Sequence, residues 1–409
     1  MFRIIDIARE ISSGITPLRS NSEYWENGTI PWLKTEQIGE YRIKTTNEFV
    51  TEKALESTGL KLYPKNTISI AMYGEGKTRG NVSIIDCPMT TNQACCNIVV
   101  NESIVAPFYL YYFFKTQYHN LRQLSSGVRK NLNSNDIKNY LINLPNKITQ
   151  QNIVNFLCSI DEKIELNNKI NLELEKIAKT LYEYWFVQFD FPDENERPYK
   201  SSGGAMVYND VLKKEIPIDW EVKNLFEAMD VQYGYPFNTD MFYEESDKDL
   251  IPVVRIRDIL ENTVSAYSSE KVDNKYKLNE KDLVIGMDGN FHMNFWKDNY
   301  SYLNQRSVRI RKKELYNIST FQAYYELMPY IKAREKNISR TTVGHLSDKD
   351  LKRLNIIIPK TNDNFNPTSV FENLLKKVIV NRKEIANLVT LRDFLLPMLM
   401  NGQISITDE

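Results

Sequence analysis

The residues best suited to chemistry lie in "AMYGEGKTRGN" (71–81), where Ala71-x-x-x-x-Gly76-Lys77-Thr78 has the spacing of a phosphate-binding loop with alanine at its first glycine. Such a loop works because backbone amides and the positive end of a following helix cradle the phosphates, while the lysine and hydroxyl reach the phosphates and Mg²⁺. The flanks predict something different. "NTISIAMY" reads as a strand, but "TRGNVSIID" behind it is a second β-branched run, so the predicted unit is strand-loop-strand. A related stretch, "VIGMDGNFHMNFWKDN" (284–299), keeps the strand and the Gly-rich loop without Gly-Lys-Thr. A P-loop-type ATP-binding enzyme using Lys77 is therefore the alternative, not the leading reading. No Gly-x-Ser-x-Gly elbow, dinucleotide fingerprint or Asn/Asp-Pro-Pro-aromatic stretch occurs, and spaced acids with a lysine are too loose a pattern to assign. His119, His292 and His345 lie far apart, and Cys87, Cys95, Cys96 and Cys158 lack metal-ligand spacing, so no metal site is expected. The thiols read as structural.

The elements that position these loops repeat. "SSGITP" around Gly14 parallels "QYGYPF" around Gly234, and "IPWLKTEQI" (30–38) parallels "IPVVRIRDI" (251–259). "TNQACCNIVV" (91–100) matches "LNQRSVRIRK" (303–312), and "LNSNDIKNYLINLP" (132–145) matches "LSDKDLKRLNIIIP" (346–359). The order is kept, and the slightly drifting offset needs only loop insertions. A fifth block is helical. Residues 151–186 contain no proline and would span roughly 54 Å as a helix. Its apolar positions follow a 3-4 spacing through Ile160, Ile164, Leu174 and Leu181, and adding 214 gives Leu374, Val378, Leu388 and Leu395. Asn167 and Asn381 fall at equivalent places in this seam, where a core asparagine fixes register at some cost in stability.

The fold class expected is α+β: two repeated strand-rich α/β domains separated by two long helices that pair as an antiparallel coiled coil. The boundaries expected are a first domain at 1–148, a helical spacer at 149–188, a Pro/Gly/Ser-rich linker at 189–219, a second domain at 220–360 and a second helical spacer at 361–409. "PFYLYYFFKTQYHNLRQL" (107–124) and "STFQAYYELMPYIKARE" (319–335) read as equivalent amphipathic helices. The net charge of −1 conceals segregation. Residues 1–150 hold 17 lysines and arginines against 13 acids, whereas 151–200 hold 6 against 10. The acidic helical block suits protein partners better than phosphates. With 42% hydrophobic residues, no leader-like opening and no apolar run long enough for a bilayer, a cytoplasmic protein without membrane contact is expected.

Several of these pieces together resemble the specificity subunit of Type I restriction-modification systems. They include "SSGITP", "IPWLKTEQI", "TTNQACCNIV", "SSGVRKNLNSNDIKNYLINLP", "QQNIVNFLCSIDEKIELNNKIN" and "YEYWFVQFDFP" in the first half. "GYPF", "VRIRDI", "LNQRSVRI" and "LRDFLLPMLMNGQI" continue the resemblance through the second. The resemblance implies two target recognition domains, each reading one half of a bipartite duplex DNA sequence, with the helices setting the gap. It implies two methyltransferase subunits using S-adenosylmethionine to modify adenine N6, and restriction subunits that use ATP and Mg²⁺. It implies no catalytic site and no bound cofactor in this chain, which would be prokaryotic and nucleoid-associated when on DNA. A coiled-coil interaction scaffold without DNA readout is the further alternative.

DNA readers use Arg, Lys, Asn and Gln at base edges, with Ser, Thr and Tyr joining them at phosphates. On the Gly-rich loop the candidates are Tyr73, Lys77, Thr78 and Arg79, with Asn290 on the second-half loop. "SSGVRKN" offers Ser126, Arg129, Lys130 and Asn131, and "SRTTVGH" offers Arg340, Thr341 and Thr342. Asn92 and Gln93 pair with Asn304, Gln305 and Arg306, with strand capping the competing role. Lys34, Thr35, Arg255 and Arg257 follow the "IP" strands. Trp32, Tyr111 and Tyr112 read as core, not stacking platforms.

Overall fold

The structure, a computed structural model, describes all residues except 75, 125–130, 317, 337–343, 362–364 and 407–409. Its contacts form two units, Met1–Glu165 with Asn387–Glu409, and Leu166–Ala386. The division falls inside both long helices, Lys147–Tyr182 and Pro367–Met400, so each unit holds one strand-rich globule and a stretch of each helix. No described helix is long and apolar enough to cross a membrane.

In the first unit a five-stranded sheet runs in the order Ala8–Ser13, Cys95–Val100, Ile68–Ala71, Val82–Ile85, Arg42–Ile43. Its first three pairings are antiparallel and its last is parallel. The three central strands are buried on both faces, and the period of two divides their side chains between two cores. Ile68, Ile70, Ile84 and Ile98 pack on Tyr109, Leu110 and Phe114 of the helix Pro107–Thr116. Ala71, Ile85 and Cys95 face Leu33, Ile38 and Ile43 on the other side. A three-stranded sheet, Glu48–Val50, Ile30–Leu33, Thr90–Thr91, completes the globule.

The second unit repeats this plan. Met229–Tyr233, Ser307–Lys312, Leu283–Gly286 and Met293–Phe295 form an antiparallel sheet in that order. Leu283 and Ile285 face Phe321 and Tyr325 of the helix Thr320–Lys336, whereas Val284 packs with Val254, Trp296 and Leu303. Ile251–Val254 pairs in parallel with a short strand, Tyr302–Leu303, as Ile30–Leu33 does with Thr90–Thr91.

Gly14 and Gly234 fix both frames. A Cβ on Gly14 would lie 2.0 Å from the Thr91 carbonyl oxygen, and one on Gly234 would lie 1.9 Å from that of Asn304. Only glycine lets the chain approach this closely. The next residues then bond across, Ile15 N–H to Thr91 O and Tyr235 N–H to Leu303 O, both at 2.9 Å.

Within the second unit the long helices pair antiparallel through polar contacts: the Asn167 amide donates to Glu384 (2.9 Å) and that of Asn381 to Asn171 (3.0 Å). Arg382 adds an ion pair with Glu175 at 3.2 Å. Within the first unit Asp161, almost fully buried, accepts from Arg392 and from the Tyr112 hydroxyl, each at 2.6 Å. Ile160 is buried, and Ile164, Leu174 and Leu181 are half-buried on the same face. In the second helix Phe371, Leu375, Val378 and Leu396 are buried, while Leu374, Leu388 and Leu395 are half-buried.

Candidate nucleic-acid interface

The Ala71–Thr78 stretch connects two antiparallel strands, Ile68–Ala71 and Val82–Ile85, and no helix follows it. Gly76, at φ +61°, turns the chain at the tip, and Gly80, at +88°, returns it with its N–H on the Ala71 carbonyl at 2.9 Å. The helix end that a nucleotide phosphate needs is missing from this geometry. The short helix Tyr118–Leu124 instead braces the hairpin from the side. The Tyr118 hydroxyl donates to the Lys77 carbonyl (2.8 Å), and Arg122 donates to that of Arg79 (3.1 Å). Lys77 stays exposed at the tip, Arg79 and Thr78 are half-buried, and Tyr73 is exposed at the base.

Four segments chosen from the sequence meet at one end of the first sheet. The Asn92 N–H bonds the Leu33 carbonyl (2.9 Å), immediately before Lys34 and Thr35. The Met72 N–H bonds the Ala94 carbonyl (2.8 Å), joining the hairpin to the Asn92–Gln93 turn. The Leu132 N–H bonds the Met72 carbonyl (3.1 Å), bringing in Asn131. Tyr73 and Asn131 line an open depression of about 700 Å³ with Asn133 and Asn135. The second unit reproduces every link. Asn304 N–H meets Val254 O (3.0 Å), Met287 N–H meets Arg306 O (2.8 Å), and Leu346 N–H meets Met287 O (2.7 Å). These links align Tyr73 with Asp288, Ala94 with Arg306 and Asn131 with His345. Ser126, Arg129, Lys130, Arg340, Thr341 and Thr342 lie outside the described residues.

Side-chain partners separate the candidates. Lys34 is half-buried between Glu48 (2.6 Å) and Glu36 (2.9 Å), whose hydrogen bonds hold its pKa above the usual lysine range. Arg255 donates to the Ser265 carbonyl and hydroxyl, both at 2.6 Å, and burial followed by the neighbouring Arg257 lowers its pKa. The Asn92 side chain accepts from the Ala94 N–H and the Cys95 thiol, both at 3.1 Å, closing its own turn. Asn304 does the same for the Gln305 N–H at 2.8 Å. Thr35 is half-buried, whereas Gln93, Asn290, Gln305, Arg306 and Arg257 present exposed side chains. Trp32, Tyr111 and Tyr112 are buried. Burial also pushes the Cys95 and Cys96 thiols up to about 12, which keeps them protonated.

Asp288 and His345 also belong to this sheet end, although an acid is not a residue type that reads bases or phosphates. The Asp288 carboxylate accepts from Arg306 Nη1 (2.7 Å) and bonds His345 Nδ1 (2.6 Å), tying together hairpin, turn and the segment after 343. Burial would raise its pKa, but the His345 and Arg306 hydrogen bonds outweigh that and hold it below the usual range. The available signal was an acid directly before Gly289 in the Gly-rich loop.

Known proteins give this architecture a family. The Type I restriction modification DNA specificity domain matches twice, over residues 1–176 and 217–390. Across 99% of its length the chain is 31% identical to the Type I restriction enzyme MjaIX specificity subunit of Methanocaldococcus jannaschii, covering 93% of that protein. It is 33% identical over 34% of its length to the EcoBI specificity subunit of Escherichia coli, covering 29% of that protein. The crystal structure of the Type-I restriction-modification S subunit from M. genitalium matches the fold with a TM-score of 0.58 at 17% identity, over 97% of this chain and 95% of that one. The chain therefore belongs to the Type I restriction-modification specificity-subunit family, whose role is DNA sequence specificity.

Proposed function

We propose that each unit reads one half of a bipartite duplex target with the sheet end at which its candidate segments meet. One observation carries this reading. Both units build the same backbone frame from the same three links, yet fill it with different side chains: Tyr73, Ala94 and Asn131 in one, Asp288, Arg306 and His345 in the other. A fixed frame with variable side chains suits two half-sites of different sequence, since phosphate contacts position a protein and base contacts specify. On this reading Lys77 and Thr78 meet the backbone of the first half-site, with Tyr73, Gln93 and Asn131 nearer its bases. Asn290, Gln305, Arg306 and Arg257 serve the second.

The long helices carry methyltransferase subunits, which the restriction subunits join. Leu166 and Ile177 are exposed on the first helix, and Val380 and Leu391, their repeat equivalents, are exposed on the second. Exposed apolar positions duplicated in this way suit two copies of one protein partner. S-adenosylmethionine, and ATP with Mg²⁺, are then bound by those partners, and this chain contributes recognition and assembly within the cytoplasm but no bond-making step.

The test is long-read methylation mapping of DNA from cells expressing this chain with its methyltransferase. One split adenine-methylated motif is the expected result. A contiguous motif, or methylation independent of this chain, would refute the bipartite reading.

A further inference from the structure

The geometry points to Arg306 as the reader of a guanine in the half-site served by the second unit, with Asp288 as its positioning residue; this rests on the DNA-reading role proposed above. Arg306 lies where hairpin, turn and the segment after 343 converge, and its side chain is 69% exposed. Its backbone is held at φ +61°, a conformation costly for a side-chain-bearing residue, and its carbonyl is pinned by the Met287 N–H at 2.8 Å. Among the described residues only Asp288 bonds the guanidinium, through Nη1, which leaves an edge of the planar fork facing solvent. Asp288 is itself only 14% exposed and is fixed from the other side by His345. The fork is therefore oriented before any ligand arrives.

An arginine poised in this way suits a base edge better than a phosphate. Guanine offers two acceptors, N7 and O6, at the separation of two guanidinium donors, and this pair requires orientation. A phosphate needs no buttress, and a carboxylate beside the arginine repels it. The first unit has Ala94 at this position, so its half-site is read by other means.

The test uses the assembled complex with its methyltransferase. Methylation mapping first defines the wild-type motif, and binding is then measured on the target duplex and on single-base-pair variants of it. Arg306→Ala is expected to relax one G·C position in one half-site, removing about 5- to 150-fold discrimination there. Arg306→Lys, which keeps the charge but loses the fork, is expected to relax the same position. Asp288→Asn is expected to weaken discrimination at that position while the salt dependence of binding stays at its wild-type slope. An unchanged motif for Arg306→Ala would overturn the guanine assignment. So would a uniform loss across all duplexes with a shallower salt slope and rescue by lysine, which is the signature of a phosphate contact. If the wild-type complex gives no split motif, the underlying bipartite reading falls; a split motif insensitive to Arg306 removes the guanine assignment alone.

Discussion

The two sheet ends share a backbone and differ in how it is closed. In the first unit Tyr73 and Asn131 border an open depression. In the second the aligned Asp288 bonds both the aligned His345 and Arg306. The backbone links belong to the frame, since no side chain takes part in them, and so the frame tolerates complete replacement of its contents. Specificity can then change without loss of the fold. The same contrast recurs where the long helices meet. The first unit uses a buried ion pair there, Arg392 with Asp161, whereas the second uses amides and a half-exposed pair, Arg382 with Glu175.

The largest expected break comes from that second contrast. Arg392→Ala leaves the Asp161 carboxylate, 4% exposed, with the Tyr112 hydroxyl as its remaining donor among the described residues. Removing one partner of a buried pair costs roughly 3–5 kcal/mol. Arg382→Ala leaves Glu175 able to rehydrate and removes hydrogen bonds to Asn294 Oδ1 (2.7 Å) and the Phe295 carbonyl (3.3 Å), at about 2 kcal/mol. Urea unfolding of both variants checks the difference, and equal losses would contradict it.

Next come the glycines that both frames require. Gly14→Ala and Gly234→Ala each drive a methyl into a carbonyl oxygen, so each is expected to cost roughly 2–4 kcal/mol. Similar values in the two variants would confirm one shared frame. A cost below about 1 kcal/mol in either would mean that its strand can move aside.

A third difference is a matter of pH. Glu326 on the helix Thr320–Lys336 stands where the repeat places the buried Phe114 in the first unit. Its carboxylate accepts from Gln322 (3.1 Å) and the Ile357 N–H (3.0 Å), yet burial pushes its pKa up to about 8. A pKa raised on folding gives a contribution complete below the unfolded value, near 4.5, and lost as pH rises through 8. Stability should therefore decline across that window, by at most about 1.4 kcal/mol per pH unit from this group. Glu326→Gln should flatten the decline, and an unchanged profile would remove Glu326 as its source.

The sequence made the strand-loop-strand hairpins legible, because β-branched runs flank the glycines on both sides and the repeat supplies a second copy. The convergence of segments was partly legible as well, since "TNQ" and "LNQ" recur at matched positions. Partners contributed from other strands were not. Lys34 looks available until the fold brings Glu48 beside it, and Arg255 until Ser265 does the same. Spacing points to Leu374 and Leu395, yet Leu375 and Leu396 are the more deeply buried, because each joins the apolar core of its own globule as well as the helix seam. Asp288 is not legible as part of the site for a chemical reason: a carboxylate repels phosphate, and its value here lies in what it does to Arg306.

The smallest expected effect concerns the two hairpin tips. The first presents Lys77 and the second presents Asn290, both exposed. If both tips face DNA, only the first displaces a counterion there. In the assembled complex on its target, Lys77→Ala should make the dependence of log affinity on log salt shallower by about 0.9, uniformly across duplex sequences. Asn290→Ala should leave that slope unchanged, whatever it does to affinity. Equal slopes in wild type and Lys77→Ala would place the first hairpin away from the phosphates. A slope change in Asn290→Ala would mean that the second tip orders cations supplied by its neighbours, which erases the distinction between the two. The measurement thus decides whether the difference in tip chemistry is an electrostatic one, independently of which bases either unit reads.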